Sequence, residues 1–198
     1  GWRYDPIFID KKHSVEWHIS EFEKMAENLA GYTKTCVISF IDIYKKVERN
    51  FPEAKSVRAE DRAMIGKAFV KIASKYGMVL RPCAEGEELA QYGADCSGCM
   101  TVHTFETALH SRLEVPKRKK NQRNGECACL LGTDIGAYDT CGHLCKYCYA
   151  NVNPVLVKEN MRKHNPASPF LIGGHMPGDI VREAKQESWI DRQIRLEF

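Results

Sequence analysis

Long apolar runs are missing from this chain. No stretch of its 198 residues reaches the roughly 18 consecutive apolar positions a membrane-spanning helix needs. No series of basic, apolar and small residues makes a secretion signal, so no membrane partner is expected. Strong charge of one sign is missing too: a net +3 at neutral pH is too little to imply nucleic acid or an anionic surface by bulk electrostatics. No Gly-, Ser- or Pro-rich linker and no internal repeat interrupts the chain, which predicts a single domain over 1–198. The histidines lack H-x3-H and H-E-x-x-H spacing, and that removes the helical zinc patterns.

Cysteine is abundant instead. Nine are present, and an odd count without a secretion signal argues against a disulfide framework. Cys96 and Cys99 stand as C-x2-C, Cys127 and Cys129 as C-x-C, and Cys141, Cys145 and Cys148 as C-x3-C-x2-C. These are metal-like spacings, and such thiols stay available as ligands in a reducing cytoplasm, the expected location. The run 141–148 is the sharpest signal: three sulfurs from one short loop suit an iron–sulfur cluster or zinc. No cysteine follows Cys148, so a fourth protein ligand must come from upstream. A closed four-thiolate site is structural or electron-carrying, whereas a three-thiolate site with an open corner is built for chemistry. Structural zinc shared by Cys96/Cys99 and Cys145/Cys148 is the bland alternative. Cys36, inside an apolar run, is a packing thiol, and His143 is a spacer within the loop.

The regular elements come first. Trp2–Ile9 reads as a strand; Ser14 caps a helix that carries Val15, Ile19, Phe22, Met25, Ala26 and Leu29 at helical spacing. Thr35–Ile43 is apolar enough for a strand covered on both faces. A helix over about 59–76 and a strand over 78–83 complete two βαβ units, which predicts a parallel sheet. Beyond Cys83 the pattern is less regular, with a short helix expected at 87–92, a longer one at 101–113, a short strand at 133–140, and helices at 154–163 and 178–189. The organisation expected is βα units over 1–85 and a cysteine-rich cluster-binding region over 86–198. Trp2 follows Gly1 with no lead-in and no initiator Met, so the chain reads as the C-terminal portion of a longer protein.

The run Thr140-Cys-Gly-His-Leu-Cys-Lys-Tyr-Cys-Tyr-Ala150 resembles the cluster loop of radical S-adenosylmethionine (SAM) enzymes, closest to spore photoproduct lyase-like proteins. A wider likeness rests on Arg3-Tyr4-Asp5-Pro6-Ile7, Cys36-Val-Ile-Ser-Phe40, Cys83-Ala-Glu85, Asn121-Gln-Arg123 with the cysteine pair after it, and Asp134-Ile-Gly-Ala-Tyr138. Together they resemble an uncharacterised bacterial family known as a domain of unknown function (DUF1848), with a radical SAM-like motif near its C-terminal end.

The resemblance implies a [4Fe–4S] cluster on Cys141, Cys145 and Cys148, with SAM chelated by the fourth iron and Tyr147 near its adenine. It implies reductive cleavage of SAM to a 5′-deoxyadenosyl radical that abstracts hydrogen from an unknown substrate. The electron would come from a donor of flavodoxin or ferredoxin type. Residues 149–198 are too few for the remainder of a barrel, so the fold expected is α/β, a partial, permuted parallel β/α barrel with a cysteine-rich, loop-rich C-terminal end. An acidic-tipped Gly-Gly motif is absent, Gly173-Gly174 being followed by His175. In such barrels function sits at the C-terminal ends of strands, which nominates Arg3, Asp5, Asp42 and Glu85 to bind substrate or SAM, with Asp134 and Tyr138 before the loop. Cys83, Cys99, Cys127 and Cys129 are a candidate set for an auxiliary iron–sulfur cluster or zinc, with Cys99 preferred to Cys96 because the family pattern places its cysteine directly before the helix near Thr101; the alternative is unrelated surface and core thiols. The basic run 117–123 reads as a solvated loop, with nucleic acid the less favoured substrate. The alternative class is a non-catalytic module, structural or for binding, stabilised by zinc or iron–sulfur.

Overall fold

Trp2–Ile7 (β1), Thr35–Phe40 (β2) and Val79–Pro82 (β3) pair as a parallel, open sheet in the order β1-β2-β3. Parallel neighbours need crossovers, and helices supply them: α1 (Val15–Leu29) leads into β2 and α3 (Ala59–Lys75) into β3. The computed structural model describes residues 1–116, 129–130, 136–184 and 187–193. The chain divides into two compact units. One comprises Gly1–Ile43, Ala54–Leu131 and Ser188–Phe198; the other comprises Tyr44–Glu53 and Gly132–Glu187.

In the first unit the two faces of the sheet differ in chemistry. The register aligns Trp2, Cys36 and Leu80 across the strands, then Tyr4, Ile38 and Pro82. These residues meet α1 and α3 through Phe22 and Phe69, whose rings stack at 3.7 Å and 12°. Trp2 stacks on Phe22 at 4.8 Å, and Tyr4 meets both phenyl rings edge-on at 5.4 Å. Both phenylalanines are fully buried, and each contributes about 1.5–3 kcal/mol by leaving water. Cys36 lies in this layer, wholly buried; burial pushes its thiol up to about 12, as a packing cysteine should behave. The alternate register row, Arg3, Val37 and Arg81, belongs to the opposite face.

Local chemistry sets the ends. Ser14 accepts the Trp17 N–H at 3.2 Å and opens α1, the side-chain cap that satisfies one of the helix's orphan donors. Gly66 on α3 is a close-approach position, since a Cβ there would stand 2.3 Å from Leu89 Cδ2. His18 on α1 is 3% exposed; it bonds the Tyr4 hydroxyl at 2.8 Å and the Phe8 carbonyl at 2.7 Å. With the carbonyl accepting from Nε2–H, Nδ1 is left to accept from Tyr4.

Several expectations are corrected. β2 ends at Phe40 rather than Ile43, and Lys45–Asn50 forms an unforeseen short helix, α2. Helix α4 (Val102–Leu109) stops early because His110 turns left-handed at φ 50°. The predicted strand over 133–140 is turn and coil at 136–140, and its earlier residues lie outside the described ones. No helix forms over 178–184 or 187–189. Ile180 and Val181 are 79% and 77% exposed, and an amphipathic run without a surface to bury against seldom holds a helix. Ile190 instead bridges Leu113. Helix α5 (Pro154–Lys163) keeps its expected bounds. The basic run 117–123, Cys127 and Asp134 lie outside the described residues. No helix among the described residues is long and apolar enough to cross a membrane.

Candidate functional site

In the second unit the cysteine loop is closed at its neck. Asp139 Oδ1 accepts the backbone N–H of Val152 at 2.5 Å and of Asn153 at 2.8 Å, while the Asp139 N–H donates to the Ala150 carbonyl at 3.0 Å. Those two amides, aided by the nearby Lys46 charge, hold the Asp139 carboxyl below its usual range. Asn151 Nδ2 donates to the Cys141 carbonyl at 2.6 Å, and Asn160 Nδ2 to the Asp139 carbonyl at 3.0 Å. The chain therefore leaves at 139 and returns at 150–153, with the three cysteines between.

The rest of the loop is braced within the same unit. The Cys148 N–H closes a turn on the Cys145 carbonyl at 3.0 Å. The Tyr44 hydroxyl donates to the Tyr147 carbonyl, and the two rings lie 5.7 Å apart. Lys146 pairs with Glu53 at 3.0 Å and sits 5.0 Å over the Phe51 ring. A Cβ on Gly142 would come within 2.9 Å of the α5 residue Met161 at Sδ, so glycine lets helix and loop approach. Leu144 is left-handed at φ 52°, a conformation that costs a residue with a Cβ about 1–2 kcal/mol. Asn153 caps α5, accepting from Val155 and Leu156, with Pro154 at the first helical position. This is the N-cap and N1 pairing that preorganises a helix start.

Cys141 and Cys145 are exposed free thiols, and Cys148 is a half-exposed one. Beside Cys145 lies a cavity of about 260 Å³ lined by Arg49, Leu144, Asn151 and Asn153 among others. Asn151 is 7% exposed, and its Oδ1 has no hydrogen-bond partner among the described residues. A buried acceptor without a donor costs about 1–3 kcal/mol, so this atom is suited to a ligand bearing N–H. Lys46 Nζ is likewise buried and has no hydrogen-bond partner among the described residues.

The first unit gathers a second set of thiols on the sheet face opposite α1 and α3. Cys99 Sγ lies 3.7 Å from Cys83 Sγ and 3.2 Å from Cys129 Sγ. Val37 packs in the same cluster. Arg3 Nη1 points at Cys99 Sγ from 3.9 Å and also reaches Cys83, and the Met100 N–H donates to Cys129 Sγ at 3.3 Å. The hydrogen bond to Cys83, then burial and the Cys129 contact, push the Cys99 thiol well up. Cys96, its sequence neighbour, contributes no sulfur contact to this cluster among those described. No finished metal cage of three or more His, Cys, Asp or Glu groups stands among the described residues.

The strand-end candidates find partners inside the protein. Arg3 pairs with Asp5 at 2.6 Å, and Ser39 donates to Asp5 at 3.4 Å. Glu85 accepts the Phe40 N–H at 2.7 Å and pairs with Arg62 at 2.8 Å; burial outweighs both and raises its carboxyl. Asp42 is exposed, as is Tyr138 at 63%. Asp139, Asn151 and Arg49 were not singled out by sequence reasoning. Pro154, at the first position of a helix, was the local sign available there, because double acceptance by Asp139 depends on the folded return of the chain.

A family model described as Domain of unknown function (DUF1848) matches residues 1–150, a span that includes the strands, the second thiol set and the whole cysteine loop. No curated protein and no solved structure matches the chain.

Proposed function

The chain belongs to the family described as Domain of unknown function (DUF1848), and on that premise we propose that its 141–148 loop is the seat of a radical SAM-type reaction. Cys141, Cys145 and Cys148 would hold a [4Fe–4S] cluster, with SAM at the iron left without a thiolate. The observation that carries this reading is the pinned loop. Three free thiols stand on a loop tied at its neck by Asp139 and Asn151, beside a cavity lined in part by Arg49 and Asn151. The donor set fits the group, since thiolates are the ligands such clusters take.

Bound there, the cluster supplies a low-potential electron and an open coordination site, received from a donor of flavodoxin or ferredoxin type. The protein's own residues do the positioning. Asp139 holds the two ends of the loop together, and Tyr44 and the Lys146–Glu53 pair steady its second half. At the cavity, Asn151 Oδ1 suits an ammonium donor and Arg49 a carboxylate, the two charged ends of an amino-acid moiety. Tyr147 remains the residue assigned to the adenine. In this reading the three-stranded sheet contributes to a permuted, partial β/α barrel.

The test is direct. Anaerobically reconstituted protein is expected to bind iron and sulfide at the loop and, with dithionite and SAM, to release 5′-deoxyadenosine. Cys141→Ala, Cys145→Ala and Cys148→Ala should each abolish that product, whereas Arg49→Ala should weaken SAM binding with cluster content retained. Stoichiometric zinc without a visible chromophore, or product unchanged in the three alanine variants, would sink the proposal and favour the metal-stabilised binding module.

A further inference from the structure

The sheet face opposite α1 and α3 is covered in an unusual way. Over Val37, the middle residue of the Arg3–Val37–Arg81 row, the packing is made by sulfur. Cys99 and Cys129 are 8% and 6% exposed, and Cys83 packs against them. The three arrive from separate segments: Cys83 directly after β3, Cys99 directly before the segment that opens α4, and Cys129 from much further along the chain. Small hydrophobic side chains would fill such a space more simply. Sulfur brings ligand chemistry that packing alone does not require.

We propose that Cys83, Cys99 and Cys129 form a binding site for a single soft divalent cation of the zinc class, separate from the 141–148 loop and using none of its thiols. Sulfurs in mutual contact suit one ion; a cluster spreads its thiolates over several irons. Tetrahedral zinc with Zn–S bonds of about 2.3 Å sets ligand sulfurs about 3.8 Å apart. The Cys83–Cys99 separation of 3.7 Å already has this length, while the Cys99–Cys129 contact of 3.2 Å must open.

The surroundings supply what three thiolates need. Three S–H protons leave to solvent as three sulfur–metal bonds form, so the ligands carry one negative charge more than the ion neutralises. The Arg3 guanidinium, aimed at Cys99 and within reach of Cys83, balances it. The Met100 N–H on Cys129 Sγ is the outer hydrogen bond that orients a ligating thiolate. Three ligand positions are filled from the described residues, and the site ties the end of β3, the segment before α4 and the 129–130 segment together.

Cobalt reads the site independently of the loop. The full chain, stripped of metal under reducing conditions, is titrated with Co²⁺ after Cys141, Cys145 and Cys148 have been replaced by serine. One equivalent should produce intense sulfur-to-cobalt charge-transfer absorption, which Zn²⁺ then erases. Cys99→Ser and Cys129→Ser on this background should remove the absorption, and Arg3→Gln should weaken Co²⁺ affinity about 10–100-fold while retaining the spectrum. No charge-transfer band, or a band that survives both serine replacements, overturns the site. If those variants fail to fold, cadmium NMR on the loop-serine protein decides: a resonance in the sulfur-rich range supports the site, and one in the oxygen and nitrogen range overturns it. Because the loop thiols are absent throughout, failure here leaves the cluster reading intact, and the converse also holds.

Discussion

Glu85 was nominated from its place after β3 as a ligand-binding carboxylate, and two substitutions distinguish that role from a structural one. Its side chain is 8% exposed; one oxygen receives the Phe40 N–H at 2.7 Å, just where β2 loses its neighbour, and the other meets Arg62 at 2.8 Å. Removing the carboxylate in Glu85→Ala leaves a buried backbone N–H without an acceptor, a cost of about 1–3 kcal/mol. At about 2 kcal/mol the melting temperature should fall by about 4–8 °C for a chain of this size. Glu85→Gln keeps an oxygen for Phe40 and loses only the charge. Because burial raises the Glu85 carboxyl despite Arg62, the charged form is disfavoured on balance. The Gln variant should therefore be less destabilised than the Ala variant at neutral pH. A raised folded-state value means the contribution is fully present below the unfolded glutamate range and is lost as pH rises through the folded value. The parent should accordingly gain on the Gln variant as pH falls. Thermal unfolding of the three proteins across pH measures this. Equal damage from Ala and Gln would refute the reasoning, because the Arg62 pair would then dominate.

His18 gives the opposite dependence: burial first, then neighbouring His13, lowers its folded value. Its contribution should be whole above about pH 6.5 and decline as pH falls below it, and His18→Gln should flatten that limb of the stability profile. Phe69→Ala removes one ring of the 3.7 Å stack at the centre of the first unit and should cost about 3–5 kcal/mol, read as a lower urea midpoint.

Much of the first unit was legible from the sequence. Ser14 before a 3.6-residue apolar spacing, the apolar run at Cys36, and the helix ending before Gly77 each carry a local cause, so β1, α1, β2, α3 and β3 appear close to where periodicity put them. Pro154 as a first helical residue did the same for α5. Where local signals were used without a surface to pack against, as at Gly178–Trp189, the reading failed: helical spacing is a disposition that burial must realise. The short α2 escaped notice because its polar run holds one buried apolar residue, Val47.

For the site, residue type and spacing sufficed to single out Cys141, Cys145 and Cys148, since three thiols within one loop are a local fact. That Arg3 faces Cys99 and that Cys83 and Cys129 come to lie on either side of that sulfur are non-local facts. So is the closure of the loop's neck by Asp139 and the isolation of Asn151 Oδ1 beside the cavity. By itself the sequence determined which elements form and which side chains carry ligand chemistry, because propensity, capping and coordination preference act over a few residues. The tertiary structure alone decided which sulfurs meet, which carboxylates are already engaged, and which buried polar atoms lack a hydrogen-bond partner among the described residues, because those depend on chain returns that no short-range pattern encodes.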